Sequence, residues 1–133
     1  MTLILGACRK PIPNPEVLDP IYQDLQIQEA AFSDEYKKRL DELESLRKSL
    51  KDFGPRDPMR RRTMDQIFHT ERQAEEMRQQ RLYYSVRMEQ RKAYVRREYL
   101  KAFYADQPWP PPAEREEYFS RKKLRAASRN WED

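Results

Sequence analysis

The residues that break helices are gathered into three short stretches of this chain. Its ten prolines and two glycines all fall within residues 6–20, 54–58 and 108–112. Proline removes a backbone donor and clashes with the preceding turn, and glycine costs about 1 kcal/mol in a helix interior. The two long intervals between these stretches, 21–53 and 59–107, are free of both. Each interval is preceded by the same dipeptide, Asp19-Pro20 and Asp57-Pro58. Asp accepts hydrogen bonds from the open N–H groups of a first turn, and Pro suits the first helical position because its missing N–H would be unpaired there. The pattern predicts helices over about 20–53 and 58–105. Gly54 suits the place just past a helix end, and Pro55 forbids continuation. Gly54 to Asp57 leaves so short a link that the second helix must return antiparallel to the first.

The first interval carries a heptad. Its a positions are Tyr22, Glu29, Tyr36, Leu43 and Leu50; its d positions are Leu25, Phe32, Arg39, Leu46 and Phe53. Eight of the ten are apolar or aromatic, which marks a narrow coiled-coil seam, and Leu40 flanks the exception at Arg39. Glu35 with Arg39 and Glu44 with Lys48 are spaced as favourable i,i+4 pairs. The second interval has a weaker seam of Ile67, Ala74, Met77, Tyr84, Met88, Val95, Ala102 and Ala105. Thr63, Thr70, Arg81, Arg91 and Glu98 interrupt it. If Phe53 lies opposite Pro58, Pro20 lies near residue 91 and the second helix runs on alone. That overhang holds Tyr94, Val95, Tyr99, Leu100, Phe103 and Tyr104, which should not stay in water. The proline-rich corner Asp106–Pro112 follows, then a third helix at about 113–128. Its Tyr118, Phe119, Leu124 and Ala127 are expected to cover the overhang. The fold class expected is all-α: a long antiparallel two-helix coiled-coil-like hairpin over 19–107, then a corner and a short third helix over 108–133.

Composition excludes much chemistry. Two glycines leave no phosphate-cradling loop, and one histidine and one cysteine argue against a zinc site or a Ser-His-Asp centre. His69, Met64 and Met77 are not spaced to share one helix face. Asp34-Glu35 and Asp41-Glu42 are adjacent, so their carboxylates point apart. No catalytic residue, metal ligand or cofactor is expected.

The amino terminus reads Met1-Thr2-Leu3-Ile4-Leu5-Gly6-Ala7-Cys8. Leu3 to Cys8 resembles the lipobox of bacterial lipoproteins. The resemblance implies cleavage before Cys8, diacylglycerol on its thiol and a further acyl chain on the new amino terminus. Met1–Ala7 reads as the remnant of a signal segment whose basic and longer apolar parts are expected upstream. Several acyl chains, at ~0.8 kcal/mol per buried CH2, hold a protein stably at a membrane. Arg9, where a retained enterobacterial lipoprotein carries Asp, tilts the expected address to the periplasmic face of the outer membrane. Residues 8–18, with prolines at 11, 13 and 15, read as an extended tether.

Charge is divided unevenly. Residues 1–55 hold 8 basic and 10 acidic side chains, and residues 56–133 hold 19 and 13. Anionic lipid or another polyanion is therefore a candidate ligand, diluted by the interspersed glutamates; nucleic acid ranks below protein. Buried aromatic and Arg anchors dominate protein interfaces. The surplus of both marks Tyr94, Arg96, Arg97, Tyr99, Lys101, Phe103, Trp109 and Trp131 as the expected partner-binding set. The leading expectation is a non-catalytic, lipid-anchored envelope protein. It would act as a helical scaffold, adaptor or assembly subunit, its partner another protein or a second copy. The alternative is a cytosolic basic helical protein that binds nucleic acid or joins a macromolecular complex.

Overall fold

The computed structural model describes residues 9–129, apart from the Arg129 side chain. Cys8 and Trp131 lie outside the described residues. The elements are a 3-10 turn at Pro15–Leu18, then α1 (Pro20–Leu50), α2 (Pro58–Tyr104) and α3 (Pro112–Arg129). The chain is an all-helical hairpin of α1 and α2 with a short third helix. Both Asp-Pro starts work as the sequence predicts. Asp19 Oδ2 accepts from the Tyr22 N–H at 2.9 Å, and Asp57 Oδ1 accepts from the Met59 N–H at 2.9 Å.

The contacts divide the chain into two compact units. The first is Asp24–Glu89, the body of the hairpin. Its seam follows the predicted heptads. Leu25, Leu43 and Ala74 are buried. Phe32, Leu46, Leu50, Ile67, Met77 and Tyr84 are half-buried, and Leu40 is exposed. Phe32 stacks on Tyr84 with centroids 5.5 Å apart. The expected interruptions turn out to be part of the seam. Thr63 and Thr70 are buried, because a threonine is small and its hydroxyl can bond back to its own helix. Glu29 and Arg81, the polar exceptions of the two helices, meet at 3.3 Å. Arg47 reaches Glu71 across the hairpin at 2.9 Å. The Glu44–Lys48 pair forms at 2.9 Å. Glu35 and Arg39 instead take i,i+3 partners, Lys38 and Glu42.

α1 stops three residues before the predicted end. Lys51, Asp52 and Phe53 leave the helix through i,i+3 backbone bonds. Arg60 on α2 donates to the carbonyls of Leu50 and Phe53, which caps α1 with a cation where its dipole is negative. Gly54 lies beyond this turn without a positive φ, so its glycine freedom goes unused.

The second unit joins Gln90–Asp133 to Met1–Gln23, within the described residues. Its core is Val95, Tyr99 and Ile21, with Pro15, Glu16 and Asp19 buried beside them. The predicted register holds here: Arg91 grips Asp19 through two bonds of 2.7 and 2.9 Å. Two expectations need correction. Residues 9–18 are not a free tether. They lie on the end of α2, with the Ile12 N–H donating to the Tyr99 hydroxyl at 2.9 Å and Arg96 bonded to Glu16 and Asn14. Alternating prolines keep a strand extended but do not keep it off an aromatic surface. α3 is also a smaller cover than expected. Tyr118 and Phe119 are half-buried, but Leu124 is 70% exposed and Leu100 and Tyr104 stay exposed.

Candidate functional site

α2 ends in a way that builds a wall. The Asp106 N–H bonds the Phe103 carbonyl and the Gln107 N–H bonds the Ala102 carbonyl. Asp106 itself sits at φ 54°. This is the helix ending normally made by glycine, with a 6→1 and a 5→2 bond around a left-handed residue. It turns the chain sharply, so Pro108 and Trp109 come back beside α2. Trp109 packs edge-on against Tyr99 at 6.3 Å, and Phe103 lies 6.1 Å from Tyr99.

Between this wall and the amino-terminal segment is a cleft of about 620 Å³. Tyr99, Phe103 and Trp109 supply its aromatic surface. Asp106, Gln107 and Pro108 form one edge, and Arg9, Lys10 and Ile12 the other. Its size is that of a ligand pocket. The Trp109 Nε1–H is buried and has no hydrogen-bond partner. A buried donor left unpaired costs about 1–3 kcal/mol, so such groups call for an explanation. Arg9 and Asp106 approach only to 3.9 Å, and their side chains are 84% and 94% exposed. Such a contact holds neither group firmly.

Of the expected binding residues, the structure brings Tyr99, Phe103 and Trp109 together. The others serve elsewhere. Arg96 is committed to Glu16, which it reaches at 2.7 Å. Those bonds hold the Glu16 carboxyl below its ordinary value, against the opposing effect of burial. Arg97 and Lys101 both pair with Glu98. The Tyr94 ring lies between two guanidinium groups, Arg91 at 5.0 Å and Arg97 at 5.8 Å. Trp131 falls outside the described residues.

Sequence reasoning missed Arg9, Lys10, Ile12 and the Asp106–Pro108 edge. No periodicity marks them, since none is on a regular helix. The three alternating prolines were the available signal. They make the segment stiff enough to lie along a neighbouring helix.

Beside the cleft, Arg91 joins three elements. It bonds Asp19 at the start of α1 and Glu114 in the first turn of α3. Burial alone would make its proton easier to lose, but the bonds to Asp19 and Glu114 outweigh that and hold it on more firmly.

Among the described residues, no group of three or more His, Cys, Asp or Glu side chains gathers to hold a metal. His69 is exposed, its ring edge-on to Phe68. No described helix is long and apolar enough to cross a membrane. No protein-family model, curated protein or solved structure matches the chain.

Proposed function

We propose that this chain is a non-catalytic helical adaptor, anchored to the periplasmic face of the outer membrane through lipid on Cys8. In this reading it captures a segment of a partner protein at the far end of α2. The observation that carries the capture is the cleft itself. It combines three aromatic walls, two exposed cations and one buried, unpartnered N–H. The anchor rests on the lipobox-like Leu5-Gly6-Ala7-Cys8, and Arg9, which lines the cleft, is the next residue. A lipid on Cys8 would therefore hold the cleft close to the bilayer surface. The polyanion reading has less support. Arg91, Arg96, Arg97 and Lys101 each pair with a carboxylate of this chain.

Two measurements test the proposal. The chain is expressed in a Gram-negative host behind a complete export signal, with an alkyne fatty acid supplied. Label should enter the parent and be lost in Cys8→Ala; intact mass showing an unmodified Cys8 in membrane-extracted protein would refute the anchor. A photo-crosslinking amino acid replacing Phe103 should give a discrete cross-linked band, absent with the same probe at exposed Gln66. Equal bands from both positions, or none, would refute capture at the cleft.

A further inference from the structure

We infer that the ligand of this cleft is an extended acidic peptide containing proline, bound with a main-chain carbonyl on Trp109 Nε1 and its carboxylates toward Arg9 and Lys10. The inference rests on the adaptor reading and names the chemistry of the segment captured.

Three features select this class. The first is the buried Trp109 Nε1–H, which needs an acceptor inside an aromatic wall. A fatty acyl chain offers no acceptor along its length. A small anion would satisfy the donor but leave the faces of Tyr99 and Phe103 uncovered. An extended peptide supplies a carbonyl at every residue and apolar rings between them. Aromatic-lined grooves recognise proline-rich segments in this way, at low entropic cost because the peptide is already extended.

The second feature is internal. The chain already lays one such segment on the same face of α2. Pro11-Ile12-Pro13 runs there with its Ile12 N–H on the Tyr99 hydroxyl at 2.9 Å. The surface of Tyr99 therefore accepts an extended, proline-bearing backbone on one side. A hydroxyl can donate as well as accept, so its own proton offers the cleft a second donor.

The third feature is charge. Arg9 and Lys10 stand at one edge and Asp106 at the other. The Arg9–Asp106 contact is long and exposed, so an incoming carboxylate can displace it at little cost. The surplus of positive charge then sets the sign of the peptide.

The test uses the full chain and two fluorescein-labelled nonapeptides of alternating proline and glutamate, or proline and lysine, read by anisotropy. The glutamate peptide should bind at least about tenfold more tightly than the lysine peptide. Trp109→Phe keeps a ring and deletes the donor, and should weaken the glutamate peptide about tenfold. Arg9→Glu with Lys10→Glu should invert the preference toward the lysine peptide, which general damage to the fold cannot do. Circular dichroism confirms that each variant keeps its helix content. Equal affinity for the two peptides, or a Trp109→Phe variant that binds as the parent does, would overturn the inference. So would saturable binding of sodium decanoate or a 15-nucleotide dT strand in preference to the glutamate peptide. A positive cross-link from Phe103 with no peptide binding would remove this ligand class and leave the adaptor reading standing. Absence of the cross-link would remove both.

Discussion

Replacing Arg91 by methionine should be among the costliest single changes in the protein. The Arg91 side chain is 12% exposed, and its partners Asp19 and Glu114 are 1% and 31% exposed. Breaking a buried pair from one side strands a charge, which costs about 3–5 kcal/mol. Asp19 keeps one compensation, the Tyr22 N–H that it caps. Glu114 is exposed enough to hydrate. These place Arg91→Met at the low end, ~3 kcal/mol. At a urea slope of ~1.5 kcal/mol per M, that is a midpoint drop of ~2 M. Arg81→Met is the control, because Arg81 and Glu29 are 45% and 25% exposed. It should cost under about 1 kcal/mol. Asn caps a helix about as well as Asp and carries no charge. Adding Asp19→Asn to Arg91→Met should therefore return about 1–2 kcal/mol. Far-UV circular dichroism and tryptophan fluorescence in urea measure all four proteins. If Arg91→Met costs no more than Arg81→Met, or Asp19→Asn makes it worse, the stranded-charge argument is wrong.

Three shorter predictions follow from other parts of the structure. Leu43→Ala should cost about 2–3 kcal/mol, because Leu43 is 5% exposed in the hairpin seam, whereas Leu40→Ala at 43% exposure should stay within about 0.5 kcal/mol in the same urea titration. Asp106→Gly should raise stability by about 0.5–1 kcal/mol in thermal melts, since the φ of 54° strains a side chain and suits glycine. Glu16 has its carboxyl held below the ordinary 4.5, chiefly by the hydrogen bonds from Arg96. A lowered folded value means that its contribution is present above pH 4.5 and is lost as pH falls through the folded value. Hydrogen exchange at the Ile12 amide should therefore quicken in acid, and Arg96→Met should remove that acid step.

The positions of proline and glycine determined the helices before any tertiary contact was known. A backbone without a donor, or without a β-carbon, acts on its own neighbours. That is why Asp19-Pro20 and Asp57-Pro58 could be placed as starts, and why the loop at 51–57 was expected. The heptad from Tyr22 to Phe53 likewise fixed which face of α1 is inward, since side-chain direction on a helix follows from 3.6 residues per turn. What the sequence pattern could not decide was how each exception in the seam is satisfied. Glu29 and Arg81 were unremarkable charges until the register put them together. Arg91 was an interruption until Asp19 and Glu114 arrived from two other elements. The cleft depended on tertiary structure most of all. It needs residues 9–12 beside 99–109, a meeting of segments some ninety positions apart. Local propensity acts over a turn or two, whereas that meeting depends on the summed contacts of Tyr99, Arg96 and the proline segment. The unpartnered Trp109 donor exists only once those contacts have formed.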